Sequence, residues 1–154
     1  MNAVNPNLDF DIHVDRSVKP SYPDWVKKLM HPNLEMTGPT EYNLQDDVEQ
    51  WLHDDQKSGD VTGDIIYKYL RKTNTLSSCL NLQDGLSIQP KGVRDLKIFY
   101  KLFSHKAVFL WGSVVLGQNG KLCVPRLYEA TIRWIDLNSY LDSNHPALRF
   151  KIKY

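Results

Sequence analysis

Asp9-x-Asp11-x-His13-x-Asp15 is the first run of residues with chemistry in it. Leu8, Phe10, Ile12 and Val14 alternate with it strictly, so an extended chain places the apolar residues on one side and the polar ones on the other. Three carboxylates and an imidazole on one face suit a divalent cation, which takes oxygen and nitrogen donors. Neighbours two apart on a strand lie roughly 6.5–7 Å apart, at a rise near 3.3 Å per residue. Two of them can share an ion, while all four cannot. The expected ligands are Asp11, His13 and Asp15, and the chemistry they imply is metal-dependent hydrolysis. The plain alternative is a solvated strand face. No cofactor other than such a metal is implied.

The Asp11-x-His13 pair superficially resembles the opening Asp-x-His of the calcineurin-like metallophosphoesterases, with echoes at Gly59-Asp60 and Asn144-His145. The family is rejected: its Gly-Asp pair closes a strand, whereas Gly59-Asp60 falls between two expected helices. Ser143-Asn144-His145 stands in place of its Gly-Asn-His, and no Gly-His-x-His follows. His53-Asp54-Asp55 reads as a solvated helix end, since adjacent helical residues point in different directions. Gly59 to Gly63 lacks the lysine and the spacing of a phosphate loop. Cys79 and Cys123 belong to no CxxC pair and read as small apolar residues.

A second kind of chemistry is contact with a partner. Residues Lys91 to Phe103 form the strongest helical pattern, with Val93, Leu96, Phe99, Tyr100 and Phe103 on one broad face. Lys91, Arg94, Lys97 and Lys101 lie opposite, and Ile98 and Leu102 break the pattern among them. Aliphatic residues inside a basic rim have the anatomy of a binding patch. Arg149, Lys151 and Lys153 add a second basic stripe. Residues 1–77 hold 8 Lys+Arg against 13 Asp+Glu, and residues 78–154 hold 11 against 5, so an acidic half precedes a basic one. Nucleic-acid binding through the basic half is an alternative. The helix pair 44–57 and 63–72 is poorly suited to it, because phosphates would avoid the first helix's Asp46, Asp47, Glu49, Asp54 and Asp55.

The positioning elements follow from periodicity. A strand is predicted over Leu8 to Val14 and helices over Trp25 to Met30, Leu44 to Lys57 and Gly63 to Lys72. A helical turn at Ser77 to Leu82 precedes an Asp84-Gly85 turn. Strands are predicted over Lys106 to Leu116, Lys121 to Leu127, Thr131 to Leu137 and Ala147 to Tyr154, the first two joined at Asn119-Gly120. Val108, Leu110, Val114, Trp134, Phe99 and Phe103 are the expected core.

The expectation is one α+β domain over 1–154: an N-terminal strand and helices, then a C-terminal antiparallel meander with helices on one face. No apolar run approaches a membrane span, and Met1 to Asn7 has no signal-peptide character, so a cytoplasmic protein is expected. The leading functional expectation is a binding protein with a protein partner or a homo-oligomeric contact.

Overall fold

The computed structural model describes residues 11–90 and 92–152, without the side chain of Arg94. The fold is α+β. Its strands are β1 (Ile12–His13), β2 (Val26–Leu29), β3 (Glu41–Tyr42), β4 (Val48–Trp51), β5 (Val61–Thr62), β6 (Val108–Phe109), β7 (Val115–Gly117), β8 (Leu122–Tyr128), β9 (Thr131–Asp136), β10 (Tyr140–Leu141) and β11 (Ala147–Phe150). Its helices are α1 (Leu44–Asp47), α2 (Asp54–Ser58), α3 (Gly63–Lys72), α4 (Leu82–Ile88) and α5 (Val93–Phe103). Among the described residues no helix is long and apolar enough to cross a membrane.

Seven strands form the main sheet in the order β2-β7-β8-β6-β11-β4, with β9 paired to the other side of β8. The β7–β8 hairpin turns where expected, Gly120 taking the positive φ of 81° that a side chain resists. All neighbours are antiparallel except β6 and β11, which run parallel through Ala147 and Phe109. The C-terminal hairpins are therefore only part of the sheet. β4, from the N-terminal half, pairs with β11 from Ala147↔Trp51 to Phe150↔Val48.

Both faces of this sheet are covered, not one. Val108 and Phe109 are adjacent on β6 and point oppositely. Phe109 joins Trp111, Val124, Ala147 and the Ile66, Tyr67 and Leu70 of α3. Val108 joins Leu110, Leu127, Leu148, Ile88 of α4, and Phe99 and Phe103 of α5. Close packing of α4 needs Gly85, because a Cβ there would collide with the Leu110 side chain. Val108, Leu110, Val114, Phe99 and Phe103 are core residues as expected, while Trp134 is half-buried.

Several expected elements differ. The helix expected over Leu44 to Lys57 is α1, β4 and α2 in succession: its Val48 and Trp51 do reach the core, but across a strand pair with β11. Trp25 to Met30 contributes β2, paired with β7. Asp84-Gly85 lies inside α4 rather than at a turn. The segment expected as one strand from Lys106 to Leu116 is interrupted by a 3-10 turn over Trp111–Ser113. Of the strand expected over Leu8 to Val14, Leu8 to Phe10 lie outside the described residues, and β1 is two residues long.

Candidate functional site

The three expected metal ligands do separate work. Asp11 accepts the Leu44 N–H at 2.9 Å, at the start of α1. His13 Nδ1 stands 3.6 Å from Glu41 across the β1–β3 pair, both side chains exposed. Asp15 folds back on Ser17, accepting its N–H at 3.0 Å and its hydroxyl, which holds the Asp15 carboxyl below the usual range. Among the described residues no three metal-capable side chains converge. Asp9 lies outside them.

On α5, Lys97 and Lys101 are exposed, and Ile98 is 45% exposed. Leu102 is half-buried against the Phe99–Phe103 cluster. Val93 and Tyr100, expected inward, face outward, with Val93 74% exposed. The helix is rotated so that Phe99, Leu102 and Phe103 meet the sheet, and Ile98 alone remains as an apolar residue in the basic stripe. Lys91 lies outside the described residues. In the second stripe, Arg149 is engaged: it lies 5.0 Å over the Trp51 ring and 3.8 Å from Glu49.

Sequence reasoning missed two buried polar clusters. In the first, Asp84 Oδ1 receives Arg16 Nη2 at 2.7 Å and the Tyr42 hydroxyl at 2.8 Å, while Oδ2 receives the Asn81 N–H at 3.0 Å. Asn81 returns the bond by accepting the Asp84 N–H, closing a capping box on α4. The Asn81-x-x-Asp84 spacing was the available signal. The cluster ties residues 16–42 to α4 and is closed to solvent, so it serves as a clamp.

In the second, Glu35 Oε1 accepts from the Tyr22 and Ser113 hydroxyls, and Ser113 in turn accepts the Leu82 N–H. Glu35 Oε2 has no partner among the described residues. Burial raises the Glu35 pKa, against the lowering effect of those two hydroxyls and of Lys19. A carboxyl that binds its proton more tightly when folded stabilises fully below the unfolded pKa, and that contribution is lost as pH rises through the folded value. Glu35→Gln should therefore gain melting temperature over the parent as pH is raised from about 4 to about 8. Parallel melting curves across that range would remove the burial effect assigned to Glu35.

Neither cluster offers an open reactive group. No protein family, curated protein or solved structure matches this chain. The sheet edge at β9 is open and regular.

β9 is six residues long, pairs without a bulge to β8, and among the described residues has no strand on its far side. Pro125, opposite Trp134, turns its carbonyl to the Leu110 N–H and so away from β9. In an antiparallel ladder hydrogen-bonded and non-bonded pairs alternate. Ile132, Trp134 and Asp136 therefore direct their backbone groups to the free edge, where Ser139 takes only the Asp136 carbonyl. The other edges are blunted. β2 has a register shift at Val26/Lys28 beside Lys27, and β4 is four residues long between α1 and α2.

A groove of about 470 Å³ runs between β9 and α4, with Leu82 and Ile132 in its lining, Leu86 on the helix wall, and Tyr22 and Trp134 along the rim. Trp134 meets Trp25 edge-on at 5.8 Å and Tyr22 at 6.4 Å. Gln89 closes one end by donating to the Ala130 carbonyl at 2.6 Å. On the opposite face of the strand, Arg133 stands directly across from Arg126. Among the described residues no carboxylate lies within ion-pair distance of either. Burial, and then the charge of Arg133, lower the Arg126 pKa, while the Tyr128 ring lies 5.8 Å from its guanidinium.

Proposed function

We propose that the protein is a non-catalytic binding protein that takes up an extended, acidic segment of a partner protein as an added strand along β9. The observation that carries this reading is the regular, unpaired β9 edge beside an aromatic-rimmed groove. An incoming strand would complete the hydrogen bonds of Ile132 and Trp134 and place alternate side chains against Leu86 and Trp134. Its other face would meet Arg133 and Arg126, two like charges side by side that a carboxylate neutralises. Trp, Tyr and Arg are the residue types that dominate binding energy at protein interfaces. Self-association through β9 is disfavoured on the same ground, since it would bring a second Arg126–Arg133 pair towards the first.

The test is selection from a displayed library of random extended peptides, followed by NMR on the winners. Enrichment of acidic, β-branched peptides with cross-strand contacts to Ile132 and Trp134 is expected, and Arg133→Glu should weaken them by at least about tenfold, the loss of one charge-assisted contact. Winners with no acidic preference, or contacts away from β9, would overturn the assignment. So would concentration-dependent dimerisation that buries the β9 edge.

A further inference from the structure

A second site lies at the C-terminal end of α3, built from elements that β9 does not use. There the 3-10 turn Pro32–Leu34 faces the last turn of α3 and the 3-10 turn Leu76–Ser78 across a cleft of about 520 Å³. Its apolar lining is Met30, Leu34, Leu70 and Leu76, of which Leu70 and Leu76 are core residues. Pockets of this size with an apolar lining and a few convergent polar groups are the usual form of small-molecule sites.

One arginine stands among the polar residues of the lining. Arg71 is exposed at the cleft, its guanidinium 5.2 Å over the Tyr67 ring, and among the described residues no carboxylate lies within ion-pair distance of it. His31 Nε2 and the Tyr67 hydroxyl are bonded at 2.6 Å, which fixes the ring and leaves Nδ1 as its second polar atom. Burial, and then the charge of Arg71, lower the His31 pKa, so the imidazole is neutral at neutral pH. Asn74 and Ser77 complete the rim. Among the described residues no aspartate or glutamate lines the cleft.

A cation near a helix C-terminus ordinarily answers the free carbonyls there. That role is already filled. The Tyr69 carbonyl receives Thr73 N–H and Oγ1, the Leu70 carbonyl receives Thr75 N–H, and the Arg71 carbonyl receives Asn74 N–H. The Arg71 guanidinium instead lies back over Tyr67, one turn earlier, held where its planar fork can meet a ligand.

We infer that this cleft binds a small amphiphilic monocarboxylate, its carboxylate on Arg71 and its apolar body on Met30, Leu34, Leu70 and Leu76. One guanidinium matches a single carboxylate in charge and in fork geometry. A phosphate would call for a second cation or a cradle of backbone N–H groups, and among the described residues the lining includes no other Lys or Arg.

The experiment is an NMR titration of the whole chain with sodium octanoate, octanamide and inorganic phosphate. Octanoate should shift the resonances of Arg71, Asn74 and Ser77 with a Kd on the order of 0.1–1 mM, as befits a ligand of this size. Octanamide and phosphate should each bind at least about tenfold more weakly, and Arg71→Gln should reduce octanoate binding by a similar factor without altering the melting temperature. Equal binding of octanamide or phosphate would overturn the inference. So would octanoate binding unchanged in a folded Arg71→Gln, or no shift at those three residues. Should Arg71→Gln fail to fold, the octanamide and phosphate arms on the parent chain decide the question alone.

Discussion

Asp84→Ala is expected to lower the free energy of unfolding by about 3–5 kcal/mol, the usual cost of removing one partner from a buried ion pair. The Arg16 and Asp84 side chains are 10% and 1% exposed, so the guanidinium left behind could not recover its hydration. Its Nε is already without a partner among the described residues. The same substitution orphans the Tyr42 hydroxyl and the Asn81 N–H at the start of α4. Asp84→Asn keeps the shape and one acceptor oxygen but loses the charge and the second acceptor, and should fall between alanine and the parent. Replacing both partners with apolar residues, Arg16→Met with Asp84→Leu, should recover part of the loss, because no lone charge remains. Urea unfolding of the four proteins checks the series. An alanine variant within about 1 kcal/mol of the parent, as for an exposed pair, would mean that the clamp does not hold residues 16–42 to α4.

Phe99→Ala should cost about 3–5 kcal/mol, the range for emptying a buried aromatic site. Phe99 is 3% exposed, and its ring lies 5.0 Å from that of Phe103. It packs in one cluster with Val108, Leu110, Leu127 and Leu148, residues from three stretches of the main sheet and its flanks. The neighbouring Ile98→Ala is the control: at 45% exposed, it should stay within about 0.5 kcal/mol of the parent. Chemical denaturation of both variants separates the two faces of α5. Equal losses would mean that the helix is seated differently from the orientation described above.

What was legible in the sequence was whatever a short stretch decides for itself. Gly63–Lys72 is a helix because Ile66 and Leu70 recur on one side, with Arg71 and Lys72 in its last turn. Asn119-Gly120 turns the β7–β8 hairpin because Gly120 accepts a positive φ. By contrast, Leu44, Val48, Trp51 and Leu52 fit a helical stripe, yet Val48–Trp51 is a strand, since its partner β11 lies far along the chain and outweighs the local preference. The facing of α5 was misjudged at Val93 and Tyr100 because the expected apolar face was too broad: the buried arc centres on Phe99 and Phe103 and extends towards Leu102 instead. The clamp was hidden because Arg16, Tyr42 and Asp84 share no local pattern. The groove was hidden because Trp134 looked like an ordinary core residue, and only the sheet order leaves its strand at an edge.

The position of β11 has a consequence for the order of assembly. It is the last strand in chain order, yet it sits between β6 and β4. Its ladder with β4 joins partners roughly a hundred positions apart, Leu148 with Gln50 for example. The β7–β8–β9 hairpins can form from neighbouring residues, but the other side of the sheet must wait for the segment after Pro146. Such long loop closures slow folding, because their entropy is lost before any contact compensates for it. Until then β4 and the β11-facing edge of β6 carry open backbone groups, so a nascent chain halted before residue 147 would expose two unpaired edges at once, the kind of surface that recruits chaperones or aggregates.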